Sequence, residues 1–168
     1  MQFNLKQKIN KIICGDALEK LKSFPDSCID CVIFSPPYWQ LRDYHWRGQW
    51  GLEKNFGEYL ENLWTLMEEL KRVLKSTGTV WVNLGDTYGT QAGTAMGKKY
   101  QSKSGKINHI ENGSVLLKGK APHKSLLLLP HRFALGCMER GWIVRNDIIW
   151  AKPNGMPESV KDRFSKKH

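Results

Sequence analysis

The stretch IDCVIFSPPYW, from Ile29 to Trp39, is the part of the sequence that decides the fold. Its apolar run from Cys31 to Phe34 predicts a buried strand, which we expect to span Ile29–Phe34. The two prolines that follow cannot donate to a sheet ladder, and each fixes φ, so the chain leaves the sheet in a stiff direction. Ser35 and Tyr38 are thereby held in a fixed relation to each other. A strand terminator followed by aromatic side chains packed in the core has the same pattern. The neighbouring segments must therefore decide between this structural interpretation and a functional one.

The composition predicts one globular domain with a polyanionic partner. The chain has 168 residues, of which 40% are hydrophobic, and this is enough to bury a core. Its formal net charge is +10. Clustered Lys and Arg gain affinity for phosphate backbones through counterion release, so nucleic acid is the first candidate partner.

The sequence contains neither an apolar run of membrane-spanning length nor a secretory N-terminus, and we expect a cytoplasmic protein without a membrane partner. The cysteines lie at positions 14, 28, 31 and 137. Cys28 and Cys31 have the spacing of a metal or redox motif, but no second ligand pair follows. We therefore expect no metal site and interpret these two residues as small apolar residues entering a strand.

Strands alternate with helices along the chain, which predicts an α/β sheet with ligands at the strand ends. Asp16 and Glu19 form a D-x-x-E cap for a first helix, and Ser76-Thr77-Gly78 is expected to stop a long amphipathic one. Pro130 in the first turn and Gly141 just past the end bound another helix. The periodicity predicts strands at 11–14, 29–34, 79–84, 142–145 and 147–151, and helices at 58–74 and 130–140.

A long basic loop is predicted at about 88–124, where the periodicity vanishes and Gly, Ser and Lys dominate. From Lys98 to Lys124 it carries seven lysines against one acid, Glu111. A solvated insertion is one interpretation of such a loop; the one we favour is a nucleic-acid contact that orders on binding. The predicted DNA-binding residues are Lys98, Lys99, Lys103, Lys106, Lys118, Lys120, Lys124, Lys161 and Arg163.

With Ser35-Pro36-Pro37-Tyr38 after a strand, then a helix, a second strand and a basic loop, the sequence resembles the amino-methylating DNA methyltransferases. Their signature is a [D/N/S]-P-P-[Y/F/W] tetrapeptide, and the block GWIVRNDIIWAKPNGMPESVKDRFSKKH at 141–168 is also similar to the family. The resemblance covers nearly the whole chain. It implies one methyltransferase domain over 1–168 with a Rossmann-like sheet, methylation of double-stranded DNA, and a restriction–modification system.

The tetrapeptide fits the chemistry that the resemblance implies. The lone pair of an exocyclic amine is delocalised into the base, and two acceptors, the Ser35 hydroxyl and the Pro36 carbonyl, can draw it back onto nitrogen. Pro36 and Pro37 make the backbone rigid, and Tyr38 offers a face to a flipped base. The implied methyl donor is S-adenosylmethionine, with Asp16 on the cofactor side, although a helix N-cap explains Asp16 equally well.

The resemblance also leaves alternatives open. Serine at the first motif position favours cytosine N4 as the acceptor, with adenine N6 as the alternative. Relatives carry an F-x-G-x-G cofactor loop, expected after the PESVKDR block at 157–163, and the chain stops at His168. We therefore expect an incomplete sheet and an N-terminal half, inactive alone, that self-associates or pairs with a complementing C-terminal polypeptide. A non-catalytic DNA-binding remnant or subunit and an RNA or protein amide methyltransferase are the other hypotheses.

Overall fold

The computed structural model describes residues 9–89, 122–155 and 160–164. In chain order the elements are α1 (Ala17–Lys22), β1 (Ile29–Phe34), α2 (Phe56–Val73), β2 (Leu74–Val82) and α3 (Leu129–Glu139). β1 and β2 are parallel and form a two-stranded sheet, with α2 as the crossover between them. The predicted α/β class is confirmed at this level, as a mixed structure with a small parallel sheet.

The long helix α2 organises the core. Asn55 caps it by accepting a hydrogen bond from the Glu58 backbone N–H at 3.0 Å, so the helix begins two residues before the predicted start at 58. Its apolar positions recur at helical spacing and face inward. The buried residues of α2 are Phe56, Tyr59, Leu60, Leu63, Leu66, Met67, Leu70 and Val73. They pack against Trp39 and against Leu129, Phe133 and Cys137 of α3.

The helix α2 passes into β2 without a connecting loop. Leu74 has φ −73° and ψ 141°, so the backbone becomes extended at the residue after Val73. The predicted stop at Ser76-Thr77-Gly78 is wrong, because these three residues lie within β2. Ile29 pairs with Leu74 and Cys31 with Thr79, and the irregularity between these pairs accommodates the extra residues of β2.

The two faces of the sheet differ in their surroundings. On the inner face Val32, Phe34, Val80 and Val82 are partly buried and pack against the core. On the outer face Ile33 pairs in register with Trp81, and these side chains are 77% and 50% exposed. Among the described residues, then, only one face of the sheet is covered.

The strands predicted at 11–14, 142–145 and 147–151 are not formed; these predictions were wrong. Ile12, Ile143 and Ile148 are exposed, and β1 and β2 are the only paired strands in the described part of the chain. A strand needs a partner for its backbone groups, and an apolar run alone supplies none. The helix predicted at 130–140 is confirmed at Leu129–Glu139, with Gly141 at φ +77° just past its end.

Polar contacts hold the first helix and its connection to β1 against α2. Asp16 Oδ1 accepts from the Glu19 N–H at 3.0 Å, which confirms the predicted cap of α1. The Arg72 guanidinium donates to the carbonyls of Leu21 and Phe24 at 3.0 and 2.9 Å, and it pairs with Asp26 and Glu69. No helix within the described ranges is long and apolar enough to cross a membrane.

Candidate active site

The predicted catalytic tetrapeptide lies at the carboxyl end of β1. The Phe34 carbonyl accepts from the Asn83 N–H at 3.0 Å, and this is the last sheet-like bond before the chain leaves the strand. Ser35 is exposed while Pro36 is buried. The prolines therefore turn the chain so that the serine hydroxyl faces solvent at the edge where α/β sheets bind ligands.

The Pro37 carbonyl is anchored to α2. It accepts a hydrogen bond from the Tyr59 hydroxyl at 2.9 Å, and Tyr59 is fully buried. Burial raises the pKa of the Tyr59 hydroxyl well above its ordinary value, so this group remains a protonated donor at any working pH. One buried hydrogen bond thus fixes the tetrapeptide to the helix that forms the core.

The two aromatics of the motif have different surroundings. Trp39 is buried, donates from Nε1 to the Glu53 carbonyl at 3.1 Å and meets Phe56 edge to face. Tyr38 is only partly buried and its ring lies against Gly85, where an added Cβ would come within 2.5 Å of the ring. Glycine at position 85 is therefore needed for the ring to lie here. Trp39 is core, and Tyr38 is available to a ligand.

A cavity of about 100 Å³ opens beside the Tyr38 ring; it is lined by Tyr38, Trp39, Leu41, Gly85, Asp86 and Thr87. Asp86 Oδ1 accepts from the backbone N–H groups of Thr87 and Leu129, at 2.8 and 3.1 Å. The carboxylate thereby caps the first turn of α3 and joins it to the end of β2. Asp86 was not among the predicted site residues, although an acid directly after a strand and a glycine is a sequence signal for such a position.

The two predicted acceptors are uncommitted within the described chain. No hydrogen bond among residues 9–89, 122–155 and 160–164 uses Ser35 Oγ or the Pro36 carbonyl oxygen, whereas the next carbonyl, that of Pro37, is taken by Tyr59. An exocyclic amine presents two N–H donors and needs two such acceptors. The tetrapeptide can supply both.

Asp16, the predicted cofactor residue, lies apart from these features. It is exposed, its carboxylate caps α1, and it lines neither of the two cavities described here. The structure therefore does not bring Asp16 together with the tetrapeptide in a shared cavity.

Of the predicted DNA-binding residues, Lys98, Lys99, Lys103, Lys106, Lys118 and Lys120 lie outside the described residues. Lys124 Nζ pairs with Asp162 Oδ2 at 2.7 Å, and the Arg163 guanidinium lies over the Tyr88 ring at 3.9 Å. Lys161 is exposed. Lys124, Asp162 and Arg163 line a second cavity, of about 330 Å³, and Thr87 lines both cavities.

The ends of the predicted basic loop are held together. Tyr88 forms an antiparallel bridge with Leu126. The Gly89 N–H donates to the Ser125 carbonyl at 2.8 Å, and the Lys124 N–H donates to the Gly89 carbonyl at 2.7 Å. Gly89 and Lys124 therefore form a closed stem next to the end of β2.

A second loop near the motif went unnoticed in the sequence. Residues 41–50, LRDYHWRGQW, here called the post-motif loop, interleave aromatic and basic side chains. Tyr44 and Trp46 are 58% and 79% exposed, and Arg42 and Arg47 are exposed as well. Aromatic residues alternating with basic ones are typical of nucleic-acid-binding surfaces, so the signal was present.

The Cys28–Cys31 pair is divided between two environments. Cys28 is partly buried, its Sγ donates to the Pro25 carbonyl at 3.0 Å, and burial raises the pKa of its thiol. Cys31 is exposed. Within the described ranges no three His, Cys, Asp or Glu side chains are grouped so that they could hold a metal ion.

Comparison with known proteins identifies the family. A family model described as DNA methylase, for the N6- and N4-methylating enzymes, matches residues 29–168. The chain belongs to the amino-methylating DNA methylase family. Within this family it is 40% identical over 158 residues to the type II methyltransferase M.SmaI of Serratia marcescens, covering 94% of the chain and 53% of that relative. It is 42% identical over 156 residues to the type II methyltransferase M.Cfr9I of Citrobacter freundii, covering 92% and 50% respectively.

The chain spans about half the length of the curated relatives it matches. No solved structure matches it.

Proposed function

We propose that this chain carries the base-activating part of a DNA methyltransferase that transfers a methyl group from S-adenosylmethionine to the exocyclic amine of a flipped base. The observation that carries the proposal is the pair of uncommitted acceptors, Ser35 Oγ and the Pro36 carbonyl, beside the cavity at Tyr38. Membership of the DNA methylase family supports the class of reaction. We propose cytosine N4 as the acceptor, because serine begins the motif, and adenine N6 as the alternative.

The two acceptors act on the nucleophile. When the amine donates one N–H to Ser35 Oγ and the other to the Pro36 carbonyl, its lone pair is drawn out of the ring and becomes available for attack. Pro36 and Pro37 fix φ, and Tyr59 holds the Pro37 carbonyl, so the acceptors need little reorganisation during the reaction.

Tyr38 binds the base. Its ring is held against Gly85 and forms one wall of the cavity of about 100 Å³, where a flipped base can stack on it. Stacking of a base on an aromatic side chain contributes about 1–3 kcal/mol. The buried Trp39 next to it keeps the motif seated on the core while Tyr38 engages the ligand.

We propose that groups beyond the described residues take part in binding the methyl donor. Asp16 lines neither cavity, and its carboxylate caps α1. The chain spans about half the length of its relatives, and we propose that further chain, or a complementing C-terminal polypeptide, contributes the cofactor site. In the alternative proposal the chain self-associates through the outer face of the sheet, where Ile33 and Trp81 are exposed.

Double-stranded DNA is the proposed partner, in the cytoplasm and within a restriction–modification system, as the type II names of the relatives suggest for those proteins. The net charge of +10 favours binding to phosphates. Lys124 and Arg163 flank the larger cavity, and Thr87 joins it to the cavity at Tyr38. We propose that Lys124 and Arg163 contact a phosphate of the nucleotide whose base lies beside Tyr38.

Reconstitution tests the proposal. The 168-residue chain is co-expressed with the C-terminal half of the Serratia relative, and complex formation and S-adenosylmethionine binding are verified by gel filtration and calorimetry. Treated plasmid DNA is then digested and its nucleosides are analysed by mass spectrometry. We expect N4-methyldeoxycytidine, made at a rate that Tyr38→Ala lowers at subsaturating DNA and Tyr38→Phe largely preserves.

The outcomes separate the hypotheses. N6-methyldeoxyadenosine in place of the cytosine product would overturn the choice of acceptor and keep the reaction class. A complex that binds DNA and the cofactor and yet forms no methylated nucleoside would overturn the catalytic proposal in favour of a DNA-binding subunit.

A further inference from the structure

The post-motif loop at 41–50 directs two of its large aromatic side chains outward. Trp46 is 79% exposed, and Tyr44 more than half exposed. Trp50, at the end of the same loop, is partly buried and packs against the core, so the exposure of Tyr44 and Trp46 is not shared by every aromatic residue of the loop. Water-exposed Trp and Tyr side by side on one loop mark a binding surface when no packing accounts for them.

The side chains of Gln49 and Asp43 hold the backbone of this loop. Gln49 accepts from the Tyr44 N–H and donates from Nε2 to the Arg42 carbonyl, both at 2.7 Å, so one side chain bridges the two sides of the loop. Asp43 Oδ1 accepts from the His45 N–H at 2.7 Å, and His45 has φ +57°. The loop has a defined conformation in which its aromatics are presented to solvent.

The base of the loop is joined to the candidate active site. The Gln40 N–H donates to the Gly51 carbonyl at 2.7 Å and closes the loop, and the Leu41 N–H donates to the Tyr38 carbonyl at 3.2 Å. Leu41 also lines the cavity beside Tyr38. A duplex whose target base enters that cavity therefore presents the neighbouring base pairs to the loop.

The charges of the loop suit a nucleic acid. Arg42 and Arg47 are exposed on either side of Tyr44 and Trp46, whereas the loop's one carboxylate, Asp43, is partly buried and engaged with His45. Guanidinium groups pair with phosphates, and aromatic faces stack on bases.

We propose that the post-motif loop opens the duplex, with Trp46 entering the base stack at the place vacated by the flipped nucleotide and Arg42 and Arg47 on the adjacent phosphates. Flipping leaves an unstacked gap, and an inserted aromatic side chain restores stacking there, which offsets part of the cost of extruding the base. The proposal rests on the proposed function, because it presupposes a duplex that the chain opens.

The test compares two DNA probes by fluorescence anisotropy with the 168-residue chain: a short duplex of mixed sequence and the same duplex with one central abasic site. The abasic duplex already contains the gap, so the wild-type chain should bind it about tenfold more tightly. Trp46→Ala should lose most of this preference, and Trp46→Phe should keep most of it. Arg42→Gln with Arg47→Gln should weaken binding to both probes alike and reduce the salt slope by about two.

Trp150→Ala is the matched control, since Trp150 is also highly exposed, at 69%, and lies outside the loop. Circular dichroism melts of both tryptophan variants should match the wild type. Unchanged preference in Trp46→Ala, an equal loss in Trp150→Ala, or a wild type that binds DNA without preferring the abasic duplex would overturn the loop proposal alone. Absence of binding to either probe at low salt would overturn the proposed function with it.

Discussion

Along α2 eight side chains are buried, whereas among residues 35–38 and 85–87 only Pro36 is. The first set, here the α2 core, is held by non-directional apolar packing that many neighbours share. The second set, here the strand-end region, is held by a few directional bonds such as Tyr59 to Pro37 and Asp86 to Leu129. The residues that hold the fold and those of the candidate site are therefore different, although the two sets adjoin. Substitutions should separate them, except where one residue serves both.

The largest expected effect is on the stability of the α2 core. Leu63 is fully buried, so Leu63→Ala should reduce the free energy of unfolding by about 2–5 kcal/mol, through lost transfer energy and the cavity left behind. Urea denaturation followed by circular dichroism measures this. Ile33→Ala, on the open outer face of the sheet, is the control and should cost less than about 1 kcal/mol. Equal losses in the two variants would mean that the outer face is covered.

Ser35→Ala tests the strand-end region through its expected effect on turnover without an effect on stability. Loss of one preorganised acceptor should lower the turnover of the reconstituted enzyme roughly a hundredfold, while the urea midpoint remains that of the wild type. Ser76→Ala, at an exposed position in β2, should change neither quantity. A wild-type rate in Ser35→Ala would show that the Ser35 hydroxyl has no role in the reaction.

Tyr59 belongs to both regions, because its ring is in the α2 core and its hydroxyl holds the Pro37 carbonyl. Tyr59→Phe keeps the ring and removes the bond, so we expect a loss of about 1 kcal/mol in stability. Turnover should fall several-fold with little change in the Michaelis constant for DNA, because the tetrapeptide is less well positioned. Reduced stability with an unaltered rate would show that packing alone fixes the motif.

The smallest expected effect is on DNA binding, through the charge of Asp162, which lines the cavity of about 330 Å³. Asp162 pairs with Lys124 at 2.7 Å, and the Lys124 hydrogen bond holds the pKa of the Asp162 carboxyl below its usual range. Asp162→Asn frees this lysine for a phosphate, and should tighten DNA binding a few-fold at low salt and steepen the salt slope by about one.

Asp30→Asn removes the same charge and breaks an ion pair of the same length, Asp30 to Lys75, at the amino ends of β1 and β2. Anisotropy titrations at several salt concentrations compare the two variants. If both variants had the same salt slope of DNA binding, the change in net charge alone would explain the effect of Asp162→Asn. Such a result would argue against a contact between Lys124 and a phosphate.

Local signals predicted the elements whose stability is local. β1 was predicted at its observed bounds, and α2 and α3 to within one or two residues at their starts, because apolar spacing, a capping residue and Pro130 act within a turn or two. The strand pattern at 11–14 failed because pairing requires a neighbour that sequence periodicity does not specify. The direct passage from α2 into β2 at Leu74 was not predicted. The residues at 76–78 are typical of a turn, but here they lie within β2, where the irregular pairing with β1 accommodates them.

The candidate site divides in the same way. The tetrapeptide at 35–38 could be found from sequence because its residues are contiguous and their chemistry depends on their order. The anchoring of Pro37 by Tyr59, 22 positions away in the chain, and the capping of α3 by Asp86, 43 positions before Leu129, depend on tertiary packing. Neither pair has a sequence pattern of its own.

The closed stem formed by Gly89 and Lys124 has a consequence for how such a protein diverges over evolutionary time. Its two backbone bonds, at 2.8 and 2.7 Å, keep the ends of the segment 90–121 together next to the end of β2. A change of length between Gly89 and Lys124 is therefore expected to leave these backbone bonds and the end of β2 in place. We expect selection to tolerate changes of length and sequence in this stretch that it would not tolerate within α2 or β2.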